Sequence, residues 1–362
     1  MSATPQATRP ASAAPSFWGL SRPRLRRHVE GLGVPAFRAE QLYGWVYRRH
    51  VREPGRMSDL PAGFRRALPG ILDLALPETA SVHRSPDGAT HKFVLRLADG
   101  ARVEAVSMRT PRRLTFCISS QVGCALKCSF CATGLMGLVR NLQAHEIVAQ
   151  VVAMGDFHAW GDERFNIVYM GMGEPLANLG PVSESLRILN DERGLNLGAR
   201  RITVSTSGLV PQMRELAALD LQVGLAVSLH ATTDALRDEL VPVNRRWPIR
   251  EVLDAAREYG RTVGRRVTLE YTLMAGVNDR DEDADALADL VRGVRGCVNF
   301  IRWNPVAGLS FAPSSFERAL ALRERVKSHG ILATIRASTG ADVDAACGQL
   351  RRRAAAPSGS PA

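Results

Sequence analysis

Apolar residues recur at helical spacing over residues 18–75. From Ala36 to Arg49, Phe37, Leu42, Trp45 and Val46 fall near one face, with Arg and Gln between them, which predicts a helix. Asp59-Leu-Pro61 and Leu68-Pro69-Gly70 carry breakers that interrupt the helical pattern after it. The period then drops from roughly 3.6 residues to two. Phe93, Leu95 and Leu97 alternate with other residues, Asp99-Gly100 supplies turn chemistry, and Val103, Ala105 and Val106 resume the pattern. This predicts a β-hairpin over 91–108.

From residue 112 a strand-then-helix rhythm begins. Candidate strands lie at 114–118, 167–170, 202–205, 223–229, 267–273 and 298–303, with helices between most of them, such as 146–154 and 249–259. Strands alternating with helices predict an α/β fold with a parallel sheet, either open or curled into a barrel. A last strand at 333–336 and a short helix near 343–350 complete the pattern. The chain thus divides into a tail (1–17), a helical domain (18–80), a hairpin extension (81–110), an α/β core (111–350) and a basic tail (351–362).

Polar and glycine-rich signatures come after the strands rather than before them. Cys124 to Cys131 follows the first, Gly171-Met-Gly-Glu-Pro175 the second and Ser205-Thr-Ser-Gly208 the third; Ser228-Leu-His230 ends the fourth and Asn304-Pro305 the sixth. Loops at the carboxyl ends of parallel strands meet on one face, where such folds place their chemistry.

Composition refines this picture. Hydrophobic residues make up 45% of 362, ample for a buried core, and the formal net charge is +11. Residues 1–80 carry 12 basic against 6 acidic side chains, with Arg22, Arg24, Arg26 and Arg27 close together; Arg351, Arg352 and Arg353 cluster near the other end. Such an excess suits a polyanion, nucleic acid before a membrane surface. Two solvated basic ends are the plain alternative. No apolar run reaches the roughly 18 residues of a membrane span. Residues 1–17 are rich in Ala, Pro and Ser and lack a signal-type apolar stretch, so the expectation is a disordered tail on a cytoplasmic protein.

Of six cysteines, Cys117, Cys124, Cys128 and Cys131 fall within fifteen residues; Cys297 and Cys347 stand apart. In a cytosolic chain a cluster of this kind points to metal or redox chemistry. Cys124-Ala-Leu-Lys-Cys128-Ser-Phe-Cys131 has the spacing C-x3-C-x2-C. Three thiolates on one short loop can ligate three irons of a cubane, which ordinarily takes four cysteines. The fourth iron then stays open for the amino and carboxylate groups of S-adenosylmethionine (SAM). An electron from the cluster can cleave the sulfonium to a deoxyadenosyl radical. The alternatives are core thiols or structural zinc, but zinc ordinarily wants a second pair some 12–20 residues on. After Cys131 the first His is His145, and no second pair follows. Gly171-Met-Gly-Glu-Pro175 fits the same chemistry: its backbone can hold an ammonium, and Glu174 can accept from that ammonium or from a ribose hydroxyl.

The three-cysteine spacing is the hallmark of the radical SAM superfamily. The stretch Ser119-Ser-Gln-Val-Gly-Cys-Ala-Leu-Lys-Cys-Ser-Phe-Cys-Ala-Thr-Gly134 closely resembles the cluster loop of one family within it, the RlmN/Cfr methyltransferases of ribosomal RNA. The resemblance continues through Arg140-Asn-Leu142, 169–175, 228–231, Val241-Pro-Val-Asn244 and Asp344-Ala-Ala-Cys-Gly-Gln-Leu350. Val34-Pro-Ala-Phe-Arg-Ala-Glu-Gln41 is similar to the family's N-terminal accessory domain.

This resemblance implies a partial (β/α)6 TIM-like barrel with an N-terminal helical domain. It implies a [4Fe–4S] cluster on Cys124, Cys128 and Cys131, and two SAM molecules per turnover. Cys347 would carry the methyl group as a thioether, and a radical formed there would add to the adenine carbon. Cys117 would close a transient disulfide with Cys347, and Glu104 would accept the proton from the adduct. Gly173, Glu174, Ser205, Ser228, Leu229, His230 and Asn304 would contact SAM. Without the resemblance, Cys117, Cys347 and His230 would read as core residues and Glu104 as an ordinary strand carboxylate. Cys297 matches no functional position. The implied substrates are C2 of an adenosine in 23S rRNA and the adenosine 3′ to the anticodon in tRNA; the alternatives are C8 of the same rRNA base, or radical SAM chemistry on a different substrate. Flavodoxin or ferredoxin is the implied electron donor, and the expected state is a monomer. Two positions depart from the family: Thr339 stands where a basic residue is common, and no basic residue lies near Phe311-Ala-Pro313.

Overall fold

The computed structural model describes residues 14–160, 164–336 and 340–350. Expectations for residues 1–13 and 351–362, including Arg351, Arg352 and Arg353, and for Thr339 lie outside the described residues; the expected N-terminal tail reaches too far, because Ser16 bridges Asp73 and Phe17 is buried in the core, where its ring gains more from burial than from solvent.

The first layer is helical: α1 (Arg22–Glu30), α2 (Phe37–Tyr43) and α3 (Ala62–Ile71). Pro23 sits in the first turn of α1, where its missing N–H costs nothing, and Leu25 and Val29 bury one face four residues apart. The helix expected through Arg49 is α2 followed by a π-turn over Gly44–Arg48. Leu68-Pro-Gly does not end α3, which runs through Pro69 to Ile71. So close to the helix end the proline forfeits little of the hydrogen-bond ladder.

Phe17, Trp18, Tyr43 and Tyr47 form one buried aromatic cluster, with ring centroids 4.6 Å apart for Tyr43–Tyr47 and 5.4 Å for Phe17–Trp18. Burying each ring contributes roughly 2 kcal/mol. Trp18 Nε1 donates to the Ala75 carbonyl at 2.9 Å. Two members of the basic cluster are spent on structure: Arg22 pairs with Asp191 at 3.0 Å and Arg24 with Glu184 at 3.4 Å, both on the core side.

The predicted hairpin is β2 (Thr90–Arg96) and β3 (Arg102–Thr110), but β1 (Glu78–Arg84) precedes it and pairs with β2. All but one residue of β1 is exposed, so an edge strand covered on neither face carried no alternating pattern to read. It also begins inside the range expected to be helical. The cysteine loop is framed by two short strands that pattern reading missed, β5 (Gln121–Gly123) and β6 (Leu138–Asn141), after β4 (Arg113–Cys117).

The remaining strands are β7 (Phe165–Tyr169), β8 (Ile202–Thr206), β9 (Gly224–Ser228), β10 (Val267–Leu273), β11 (Gly296–Arg302) and β12 (Ala333–Arg336). The sheet order is β1-β2-β3-β4-β7-β8-β9-β10-β11-β12. It is antiparallel as far as β4 and parallel from β4 onward. No described pairing returns β12 to β1, so the sheet is an open, partial barrel. Core helices are α4 (Ala132–Leu135), α5 (Ala144–Phe157), α6 (Leu179–Asn190), α7 (Val210–Ala217), α8 (Asp234–Leu240), α9 (Ile249–Thr262), α10 (Asp281–Val291) and α11 (Phe316–Ser328). No helix among the described residues is long and apolar enough to cross a membrane.

The helix expected near 343–350 is absent. One 3-10 turn, Ala341–Val343, lies between Gly340 (φ +75°) and Asp344 (φ +50°), and both are left-handed. Two such corners break the helical path.

Candidate active site

The parallel strands deliver their carboxyl ends to one cavity. Tyr169, Ser205, Thr206, Ser228, Glu270, Thr272, Ile301 and Arg336 line it from below, and Cys124, Cys128 and Cys131 line it from the cysteine loop. Gly123 (φ +82°) opens that loop; a Cβ there would lie 1.9 Å from the Gly137 carbonyl oxygen. Burial pushes the Cys124 thiol up to about 12 and raises Cys128 and Cys131 as well. Left alone these thiols stay protonated, and ligation to cationic iron would make them thiolates. Among the described residues no three His, Cys, Asp or Glu side chains converge on a single ion. The three thiols line one cavity, as three cysteine ligands of a [4Fe–4S] cluster must.

The loop after β7 packs against Ser119 and Gln121, just ahead of the cysteine loop. Gly173 has φ +101°, and a Cβ there would sit 2.5 Å from the Gln121 Cβ, so the backbone approach requires glycine. Gln121 Oε1 accepts from Glu174 N at 2.8 Å, and Ser119 Oγ accepts from Met172 N at 2.8 Å. The Glu174 carboxylate is buried. It accepts from Ser207 N at 2.8 Å and Leu176 N at 3.0 Å. Burial raises its pKa, and these backbone donors pull the other way.

His230 caps β9 in a left-handed conformation (φ +61°). Its Nδ1 accepts from Thr272 N at 3.0 Å, which leaves the proton on Nε2. Burial lowers its pKa to about 3, so the ring is neutral at physiological pH. Of the residues for which the resemblance implies SAM contact, Gly173, Glu174, Ser205, Ser228, His230 and Asn304 line the cavity. Leu229 does not: its side chain is in the core and its backbone N–H donates to the Glu270 carbonyl.

Arg237, on α8, was not singled out by sequence. It is fully buried and donates to four oxygens: Leu229 O (3.0 Å), Ser228 O (2.9 Å), Ser207 O (2.7 Å) and Asn244 Oδ1 (2.8 Å). One guanidinium thus ties the loops after β8 and β9 together, and the conspicuous Val241-Pro-Val-Asn244 segment supplies its fourth partner. Burial lowers its pKa to about 10, still far above neutrality.

Residues 340–350 close the cavity. Asn304 Nδ2 donates to the Cys347 carbonyl (3.1 Å), Gln349 Nε2 to the Pro305 carbonyl (2.9 Å), Ala132 N to the Gly348 carbonyl (2.8 Å) and Thr133 Oγ1 to the Leu350 carbonyl (2.6 Å). Cys347 therefore lines the main cavity, and it also lines a smaller one with Cys117. That smaller space is about 20 Å³, room for about one water molecule. Both thiols are free. Burial pushes Cys117 up to about 12. Arg336 lines both cavities; the Cys347 sulfur raises its pKa most, and Glu270 and Cys117 add to that against burial.

Glu104 lies two residues along β3 from Val106, the cross-strand partner of Cys117. Its carboxylate is buried, 3.4 Å from Lys92 Nζ, and lies beside the cysteine cavity without lining it.

Residues 118–288 match the Radical SAM superfamily model, and residues 16–73 match the model described as the ribosomal RNA large subunit methyltransferase N-terminal domain. A probable dual-specificity RNA methyltransferase RlmN of Symbiobacterium thermophilum is 47% identical over 337 residues, 93% of this chain and 91% of its own. The dual-specificity RNA methyltransferase RlmN of Anaeromyxobacter dehalogenans is 44% identical, covering 96% of this chain and 97% of its own. This chain belongs to the RlmN family of radical SAM methyltransferases. The crystal structure of a radical SAM methyltransferase from Sphaerobacter thermophilus superposes with a TM-score of 0.89 at 47% identity, over 93% of this chain and 99% of that one.

In this RlmN-family chain the residues that sequence reading missed are Glu270, Thr272, Arg237 and Arg336. Glu270 and Thr272 lie on a strand whose apolar pattern hid them. Arg336 ends the last strand with no motif around it.

Proposed function

We propose that this chain methylates C2 of an adenosine in 23S rRNA, and of the adenosine 3′ to the anticodon in tRNA, with Cys347 as the methyl carrier. The observation that carries the reading is the shared cavity: Cys347 lines both the main cavity and the small one that holds Cys117. Adenine carbons are poor nucleophiles, so direct displacement on SAM is unfavourable and a carrier thiol placed between two cavities is the chemical remedy. The names of the curated relatives support an RNA substrate and dual specificity.

Cys124, Cys128 and Cys131 would hold a [4Fe–4S] cluster. Once reduced by flavodoxin or ferredoxin, that group supplies the electron for radical cleavage of SAM. Gly173, Glu174, Ser205, Ser228, His230 and Asn304 would bind SAM, with Leu229 acting through its backbone. Two SAM molecules serve each turnover: one provides the methyl group to the Cys347 sulfur, the other the hydrogen-abstracting radical. After the carbon–carbon bond forms, the radical adduct would lose one electron, for which the oxidised cluster would be the acceptor, and its proton to Glu104; Cys117 would then attack the Cys347 sulfur and break its bond to the bridging methylene, which takes up a proton to become the methyl group. That attack releases methylated adenosine and leaves a Cys117–Cys347 disulfide, which a two-electron thiol reductant reopens. The working form would be a cytoplasmic monomer. RNA affinity would fall with salt as phosphate contacts release counterions.

Mass spectrometry of nucleosides from rRNA and tRNA treated with the reconstituted protein tests the reading. 2-Methyladenosine is expected. 8-Methyladenosine would move the assignment to the alternative carbon, and neither product would overturn it.

A further inference from the structure

Lys92 is the one buried lysine among the described residues, at 2% exposure. It lies on β2 opposite Val106, which in turn lies opposite Cys117, so a single cross-strand row joins the three. Its ammonium reaches two groups: Glu104 Oε1 at 3.4 Å and the backbone carbonyl of Asp344 at 3.3 Å. Asp344 is the left-handed corner (φ +50°) three residues before Cys347. A non-glycine residue held in that conformation costs on the order of 1 kcal/mol and persists only where its surroundings hold it.

We propose that Lys92 is the positioning residue for the methyl carrier: its buried ammonium latches the Asp344 corner and thereby holds Cys347 at the junction of the two cavities. Glu104 is the counter-charge that makes a buried ammonium tolerable at this place. The inference rests on Cys347 being the carrier. It adds a role for Lys92 that no motif marks. Turn bonds within the segment shape it before Cys347, and the bonds described above that tie it to the barrel fall at or after Cys347, at its own carbonyl and those of Gly348 and Leu350 and at Gln349; Lys92 grips the side that precedes it.

The test uses anaerobic, cluster-loaded, full-length protein and iodoacetamide, with peptide mass spectrometry following each cysteine separately. Lys92→Met removes the counter-charge beside the buried Glu104 carboxylate and can compromise folding, so K92M/E104Q, which removes both charges, is measured beside it. Losing one hydrogen bond from a charged donor predicts Cys347 labelling about tenfold faster or more in both variants. Cys297, partly exposed at the opposite end of the barrel strands, should label at the wild-type rate. Methyl uptake from SAM onto Cys347 should fall by a similar factor, and Lys92→Arg should restore both. Unchanged Cys347 labelling, faster labelling with unchanged methyl uptake, or Cys297 rising in parallel would each overturn the latch. RNA methylation by C347A would overturn the carrier reading instead, and the labelling rates would still decide what Lys92 holds.

Discussion

Cys117 at the end of β4 and Cys347 on the closing segment line one small cavity, with the Arg336 guanidinium beside them. Residues 230 positions apart in sequence thus come to the wall of one cavity. Under the carrier reading the two are not equivalent. C347A should lose RNA methylation entirely. C117A should form the carbon–carbon bond and then stall, leaving RNA covalently attached to protein. A denaturing gel with labelled RNA checks this. Free product from C117A at the wild-type rate would remove Cys117 from the mechanism.

The three loop cysteines line the same cavity. Changing any one of Cys124, Cys128 or Cys131 to Ala should abolish the brown chromophore and the release of deoxyadenosine under reductant. Iron and sulfide analysis reads the first effect and chromatography the second. Zinc in place of iron, or a triple variant that still releases deoxyadenosine, would contradict the assignment.

His230 makes stability depend on pH. Its folded pKa, about 3, lies below its ordinary value of 6.5. The unfolded chain therefore binds a proton below about pH 6.5 that the folded one refuses, so the stabilisation is complete above that value and erodes as pH falls. The slope for one group is about 1.4 kcal/mol per pH unit. Urea unfolding at pH 7.5 and 5.5 should show a loss in the wild type that is smaller by about this amount in His230→Asn. Equal losses in both proteins would place the pH dependence elsewhere.

Arg237 joins two loops that also line the main cavity. Arg237→Ala strands three backbone carbonyls and the Asn244 side chain in the interior. The expected destabilisation is about 3 kcal/mol or more, by analogy with breaking buried polar pairs. Arg237→Lys should recover little of it, because one ammonium cannot reach four oxygens in the geometry of a fork. Chemical denaturation gives the stability, and equilibrium dialysis with SAM should show weakened binding in both variants.

Much of the core was legible because its strands are buried runs of Ile, Val and Leu separated by helices of clear period. The strand ranges 267–273 and 333–336 matched residue for residue, and the other parallel strands shifted by one or two positions. The short strands β5 and β6 were not legible, since three or four residues carry too little periodicity. The supposed helix at 343–350 failed because the closing segment takes its shape from hydrogen bonds to the rest of the molecule, which local propensity cannot report.

Residue types at fixed short spacing are a local property, so the chain alone was enough to single out a three-thiol loop, a glycine-rich turn after β7 and an alternating α/β core. The contacts between distant segments came from folding. The burial of Lys92 against Glu104, the four-way grip of Arg237, the neutral ring of His230 and the meeting of Cys117 with Cys347 all depend on which strand neighbours which and on how far water is excluded. Desolvation and through-space contact are set by packing in three dimensions, and no one-dimensional pattern encodes them.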